Sequence, residues 1–266
     1  MQAGLESHTL NEASKANWSK DELVVAFNLY CKTPFTKINA RNKAVIELAP
    51  ILGRSASSVA LKLANFARLD PALQRRNIAG MRHGSKAEVE IWNEFSNNWE
   101  ELAYQSELIL AKFKKEPIED SSGIVTKDLP REGRERKAIV KTRVNQSFFR
   151  QTILASYDNS CCITGISLPE LLVASHIVPW AVDKKNRMNP CNGLCLNALH
   201  DMAFDKGLIT ITVDYHVEIS SLLKQQQSCA DLLFAPFENK KITLPQRFTP
   251  SKEFIQYHNK EVFKER

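Results

Sequence analysis

The stretch from Leu171 to Gly207 constrains the fold of this chain more than any other, because its residue pattern changes character repeatedly within a short span. Leu171 to Val178 is apolar and β-branched enough for a strand carrying His176, and Pro179, which has no N–H, ends the ladder pairing. Asp183 to Asn189 is polar and basic, hence a loop. Gly193 to Leu196 supplies a second short strand, and Asn197 or Ala198 starts a helix that carries His200 inward and ends near Gly207. Strand, loop, strand and helix thus bring His176 and His200 onto one small site. Beyond it, Leu208 to Val213 and Val217 to Ser220 alternate around Asp214-Tyr215-His216 and predict a hairpin.

The remainder of the 266 residues sets bounds. With 43% hydrophobic and 25% charged residues the chain is too apolar for a disordered polymer. Its longest apolar runs, such as Leu171-Leu172-Val173-Ala174, fall far short of the roughly 20 residues of a membrane span, so no membrane partner is expected. Met1 to Lys20 has neither a basic n-region nor an apolar h-region, so a cytoplasmic protein is the expectation. Six cysteines in a chain of this length read as reduced thiols rather than a disulfide framework.

The formal charge of +6 suits a polyanion partner, and its distribution says more than its sum. From Lys32 to Lys86 eleven basic residues face only Glu47 and Asp70, a net +9. Ala87 to Ala111 carries six glutamates and no Lys or Arg, and Arg131 to Arg150 is again basic at +5. Together with a polar stretch holding Pro117, Asp120-Ser121-Ser122-Gly123 and Pro130, this predicts a helical module over 1–112, a linker over 113–133 and a second domain over 134–266.

In the first module, Ser19 and Glu22 have capping-box spacing ahead of a helix over about Lys20 to Cys31, with Trp18 placed as a staple. Asn42 caps a second helix that ends at Gly53, and Ser55 starts a third whose Val59, Leu63 and Phe66 face inward. That leaves Arg54, Ser57, Ser58, Lys62 and Asn65 outward. Two short helices joined by a glycine turn and preceded by a third follow the plan of a helix-turn-helix, and Arg54, Ser57, Ser58 and Lys62 become candidate DNA contacts. The module also looks like the Myb or SANT type. A small helical bundle that only packs against the rest of the protein is the alternative. Val89, Trp92, Phe95, Trp99 and Leu102 predict one further apolar-rich helix.

The second half holds Cys161-Cys162-Ile163-Thr164-Gly165, Ala174-Ser175-His176-Ile177-Val178-Pro179-Trp180, Asn189-Pro190-Cys191-Asn192-Gly193-Leu194, His200 and Phe204-Asp205-Lys206-Gly207, in that order. This arrangement resembles the HNH endonucleases with the ββα-metal fold, in particular the bacterial restriction-type branch with a Ser-His-Ile-x-Pro-Trp strand and an Asn-Gly-Leu turn. The resemblance runs from about Arg143 through Ile211, and more loosely over Phe254 to Phe263. Joined to the helix-turn-helix-like module read above, it implies an α+β chain that ends in an HNH nuclease domain with the ββα-metal fold. It also implies that His176 is the general base, that Asn192 holds the loop and so the base, and that His200 is a metal ligand.

Hydrolysis of a phosphodiester by this arrangement implies one divalent ion, magnesium first and manganese or nickel as substitutes. Ser175, standing just before the base, is a poor ligand, and Asp205 is the nearest carboxylate. Five residues after His200 it lies about 140° round a helix, so it is either a structural carboxylate or a ligand. Structural zinc is not expected, because Thr164 stands where a second knuckle cysteine would be and Cys191 and Cys195 are four apart. Cys161 and Cys195 read as small core residues, and His8, His83, His216 and His258 as surface or core.

A helix over about Val144 to Tyr157 presents Arg150 beside Lys141 and Arg143, all candidate phosphate contacts, while Arg187 is either a phosphate clamp or a solvated loop residue. The expected function is metal-dependent cleavage of double-stranded DNA of restriction type. The rivals are a DNA-binding protein whose HNH fold lost catalysis and an HNH nickase or RNA-directed nuclease. A homodimer would place two sites on a palindrome.

Overall fold

The computed structural model describes residues 17–78, 84–226 and 229–265. His8 and His83 lie outside the described residues. The chain divides into two compact units, Met1–Ser147 and Phe148–Arg266. Among the described residues no single helix is long and apolar enough to cross a membrane.

The first unit is all-helical. Helix α1 (Lys20–Lys32) begins in a capping box in which Ser19 and Glu22 satisfy each other's backbone N–H. Helix α2 (Lys43–Ile51) is capped by Asn42 and α3 (Ala56–Ala67) by Ser55. The turn between them is closed by the Arg54 N–H on the Ala49 carbonyl, and the two helix axes meet at 110°. A short α4 (Pro71–Arg75) is capped by Asp70, whose other carboxylate oxygen accepts from Tyr30 Oη at 2.9 Å. The core is aromatic: the Phe27 ring lies 4.9 Å from Phe66 and 5.2 Å from Trp92.

The single helix expected across Val89 to Leu102 is two, α5 (Lys86–Phe95) and α6 (Trp99–Lys114). Ser96-Asn97-Asn98 breaks it, which lets Phe95 and Trp99 both be buried. A one-turn α7 (Ile118–Ser121) follows, and α8 (Arg134–Ser156) runs across the boundary between the units. It starts well before the Val144 expected. Arg136, bonded to the Glu119 carboxylate and the Pro130 carbonyl, ties its first turn back onto the preceding segment.

In the second unit, β1 (Leu172–His176) pairs antiparallel with β2 (Gly193–Asn197), with His176 opposite Gly193 and Ser175 opposite Leu194. Gly193 has no side chain because none fits. A Cβ there would stand 2.4 Å from Ile153 Cδ1 and 2.9 Å from Phe149 Cζ, so α8 lies directly on the start of β2. Helix α9 (Ala198–Asp205) follows with Asn197 as its cap and packs on both strands.

The hairpin of β3 (Ile209–Ile211) and β4 (Val217–Ile219) comes next, then α10 (Ser221–Lys224) and α11 (Cys229–Leu233). Near the C-terminus α12 (Lys252–Tyr257) continues into a π-helical turn, His258–Val262. This last segment is strapped to the end of α9. His258 Nε2 lies 3.2 Å from the Phe204 carbonyl, and the Lys264 N–H donates to the Gly207 carbonyl.

Candidate active site

His176 ends β1 and is held on three sides. Its ring stacks on Phe149 of α8 at 3.9 Å, meets Trp180 edge-on at 5.5 Å, and places Nε2 2.9 Å from the Arg187 carbonyl. A carbonyl oxygen only accepts, so Nε2 carries the proton and the Nδ1 lone pair is free. Burial, and secondarily the Arg187 charge, push the imidazole below its ordinary value against the opposing effect of the carbonyl bond. The ring is therefore neutral at pH 7, with one nitrogen ready to take a proton.

The loop that delivers the Arg187 carbonyl is organised by Asn192, whose residue is 1% exposed. Its Oδ1 accepts from the Val178 N–H at 2.8 Å, and its Nδ2 donates to the carbonyls of Val178 at 3.2 Å and Asn186 at 3.3 Å. Its own carbonyl takes the Ile177 N–H. One amide thus joins the residues after β1 to the residues before β2. Asp183 closes the other side of the loop on Asn186, and Arg187 lies over the Trp180 ring with Nε on the Trp180 carbonyl.

His200 projects from α9. Asn197 Oδ1 already accepts the His200 backbone N–H, so it is an oxygen and an acceptor, and the His200 Nδ1 3.1 Å away must donate to it. That fixes the tautomer and leaves Nε2 with a lone pair. Nε2 is buried and has no hydrogen-bond partner, while Phe234 and Phe237 flank the ring. Burial lowers the proton affinity of the ring. A neutral imidazole with an orphaned, fixed nitrogen fits a metal ligand.

Asp205 is exposed at the end of α9, and Asp201, one turn earlier, is half-buried. Partial burial raises the proton affinity of both, and the Asp201 charge raises that of Asp205 further. Asp201 was not singled out from the sequence, although its one-turn spacing from Asp205 was visible there. Among the described residues no three His, Cys, Asp or Glu side chains already converge as a metal cage.

The cations expected to face outward do not all do so. Arg54 is buried against Glu22 at 2.7 Å, and Lys62 reaches the fully buried Glu88 at 2.5 Å, where Asn65 also bonds. Trp18, expected as a staple, lies beneath both cations, 5.1 Å from each. These corrections share one cause: the basic block meets carboxylates from α1 and α5, far away in sequence. Ser57 is exposed and Ser58 half-buried on the first turn of α3.

Lys141 pairs with Glu100 at 3.0 Å, Arg143 donates to the Val125 carbonyl at 2.6 Å, and Arg150 holds the carbonyls of Leu172 and Pro169. Arg150 therefore fastens α8 to the start of β1. Cys161 and Cys195 are buried with free thiols, and burial pushes Cys195 up to about 12. His258 is buried and His216 is half-buried.

Residues 161–212 match the family model of the HNH endonucleases. The matched span begins at Cys161 and ends just past β3, so it contains His176, Asn192, His200 and the whole β1–β2–α9 unit. A comparison with curated proteins gave no match. The second unit thus carries an HNH endonuclease domain, a class whose activity is nuclease-type, acts on nucleic acid and generally uses a divalent metal.

Proposed function

We propose that this protein is a metal-dependent DNA endonuclease of restriction type in which His176 is the general base. The observation that carries the reading is the His176 Nε2–H donated to the Arg187 carbonyl, since it fixes the one tautomer whose Nδ1 can accept a proton from an attacking water. Phe149 and Trp180 prevent the ring from turning, and Asn192 holds the loop on which the Arg187 carbonyl depends. The water attacks phosphorus in line with the departing 3′ oxygen, and Nδ1 takes its proton. The Arg187 guanidinium, held over the Trp180 ring, would meet a phosphate oxygen. His200 Nε2 and Asp205 would hold the divalent ion, magnesium or a substitute, which when bound supplies positive charge to the leaving oxygen.

The N-terminal unit is read as the module that grips duplex DNA. The 110° crossing of α2 and α3 is the angle of a helix-turn-helix pair, which supports that reading. With Arg54 and Lys62 committed to Glu22 and Glu88, the exposed Lys37, Arg41 and Lys43 around the start of α2, together with Ser57 on α3, are the contacts proposed in their place. A dimer on a palindromic site would bring two nuclease domains to the two strands.

The test is cleavage of supercoiled plasmid and of modified and unmodified genomic DNA with magnesium, manganese or nickel. Alongside run a chelator control and His176→Ala, with folding checked by circular dichroism. Metal-dependent cutting that disappears in His176→Ala is expected. Folded wild-type protein that binds these DNAs and cuts none of them refutes the nuclease reading.

A further inference from the structure

The loop between β1 and β2 does more than deliver the Arg187 carbonyl to His176. Ala181, Val182, Lys184 and Lys185 are all exposed on it, yet the backbone beneath them is braced by side chains. Asp183 Oδ1 accepts from the N–H groups of Lys185 at 3.0 Å and Asn186 at 3.1 Å, and its Oδ2 accepts from Asn186 Nδ2 at 2.7 Å. Asn189 Nδ2 donates to Asn186 Oδ1 at 3.0 Å, and the Val182 N–H closes a turn on the Pro179 carbonyl. Lys184 and Lys185 are thus presented from a fixed backbone, which reduces the ordering that binding would cost.

The charge of this loop is out of proportion to the unit around it. Phe148–Arg266 holds thirteen Lys and Arg against twelve Asp and Glu and is close to neutral, whereas Trp180–Asn192 holds three cations and one carboxylate. That carboxylate, Asp183, is engaged by the turn itself. Among the described residues neither Lys184 nor Lys185 enters an ion pair, while Lys224, Lys252 and Lys260 of the same unit each meet a carboxylate. Two neighbouring ammonium groups held together without a protein counter-ion form a site for anions, and an ammonium suits a phosphate as a compact point charge.

Their place in the chain says which phosphates. Lys185 stands two residues before Arg187, at most about 7 Å along the backbone from the residue whose carbonyl holds His176, and Lys184 at most about 11 Å. Phosphates of one DNA strand recur about every 3.4 Å of helix rise, so both side chains reach phosphates adjacent to the one attacked beside His176.

We propose that the β1–β2 loop is a substrate-binding element whose Lys184 and Lys185 hold the DNA phosphates flanking the scissile one. This rests on the nuclease reading above and deepens it to the contacts that place the strand. Such contacts position the backbone without reading its sequence. Arg187 and Asn192 tie the same loop to His176, Trp180 and Val178, so a strand gripped here is registered to the base.

The experiment uses the full chain in chelator, so that no DNA is cut. Binding of a fluorescent duplex is followed by anisotropy over a range of salt concentrations, with folding checked by circular dichroism. The double variant Lys184→Gln, Lys185→Gln is compared with Lys184→Arg, Lys185→Arg and with a control of equal charge change, Lys240→Gln, Lys241→Gln, at exposed positions beside β4. In parallel, acetylation of each lysine in wild type by an amine-reactive ester is timed by mass spectrometry with and without the duplex.

The loop glutamine pair is expected to bind about tenfold more weakly at low salt, with a slope of log affinity against log salt smaller by about 1.8, since each phosphate contact contributes about 0.9. The arginine pair is expected to bind like wild type, and the control pair to keep the wild-type slope. Acetylation of Lys184 and Lys185 is expected to slow several-fold on DNA while that of Lys240 and Lys241 does not. A loop glutamine pair with the slope of the control pair, or loop lysines acetylated as fast on DNA as off it, overturns the proposal and leaves the nuclease reading standing. Wild-type protein that binds no duplex overturns both.

Discussion

Replacing Asn192 by alanine tests the reasoning about the active-site loop most directly, because one side chain satisfies three backbone groups. The Val178 N–H and C=O are buried with it, and the Asn186 carbonyl sits nearer solvent. A buried polar group left without its partner costs about 1–3 kcal/mol, and water can replace the amide at Asn186. Two orphaned groups at Val178 then give a loss of about 3 kcal/mol, borne by the second unit alone.

Because the chain has two compact units, a whole-chain unfolding midpoint would blur this effect. Trp18, Trp92 and Trp99 lie in the first unit and Trp180 in the second, so 5-fluorotryptophan labelling and ¹⁹F resonance in urea separate them. With a urea dependence of roughly 1–2 kcal/mol per molar, the Trp180 transition in Asn192→Ala moves down by about 2 M while the other three stay.

Asn192→Asp keeps the acceptor for the Val178 N–H but turns a carboxylate oxygen toward two carbonyls. Its folded-state pKa therefore rises above the unfolded value of about 3.9. Its stability relative to wild type is best below that pH and falls as pH rises through the folded value. A Trp180 transition in Asn192→Ala displaced by less than about 1 kcal/mol would refute the claim that this amide holds the loop.

Three further outcomes follow from the same geometry. Arg54→Ala breaks a buried ion pair with Glu22 and is expected to destabilise the first unit by about 3 kcal/mol, by urea unfolding, while leaving the salt dependence of DNA binding unchanged. Gly207→Ala places a Cβ 2.0 Å from the Val262 carbonyl oxygen at a φ of +69°, so it is expected to cost about 3 kcal/mol and to raise hydrogen exchange across Lys252–Val262.

His258, buried and held neutral between Thr210 and Phe204, has its proton affinity pushed down to about 4 by burial. Below about 6.5 the unfolded chain binds this proton and the folded chain does not. The second unit therefore keeps its full stability above that pH and loses about 3 kcal/mol as pH falls toward 4. Urea midpoints between pH 7 and 4.5 check this, and His258→Gln is expected to flatten the slope.

Local signals in the sequence were sufficient for elements that cap themselves. Ser19, Asn42, Ser55 and Asn197 each stand where the structure has an N-cap, because the side-chain oxygen and the N–H it satisfies are two or three residues apart. The β1–β2–α9 unit was legible for a similar reason, its two strands being consecutive in the chain and followed at once by the helix.

What escaped was tertiary. Arg54 and Lys62 looked outward because the residues that bury them, Glu22 and Glu88, are on other helices. The break at Ser96-Asn97-Asn98 was hidden by apolar spacing that continues across it.

Strand alternation explains how so small a unit can hold two chemically opposed groups. Ser175 and His176 are neighbours in sequence, yet successive strand residues face opposite sides, so the Ser175 hydroxyl points away from the face whose imidazole stacks on Phe149 of α8. The base thus sits among Phe149, Trp180 and a carbonyl, where the neutral ring is favoured.

A slip of one residue between β1 and β2 would exchange the two faces and turn the imidazole away from Phe149 and the Arg187 carbonyl. Register is therefore a condition of the chemistry. It is fixed at one end by Gly193, which no side chain can replace beneath Ile153 and Phe149, and at the other by Arg150, whose guanidinium holds the Leu172 carbonyl. Asn192 joins the two ends of the loop between the strands. On this argument Arg150 and Gly193 act on the reaction without touching substrate, by holding the base on the side of Phe149 and the Arg187 carbonyl.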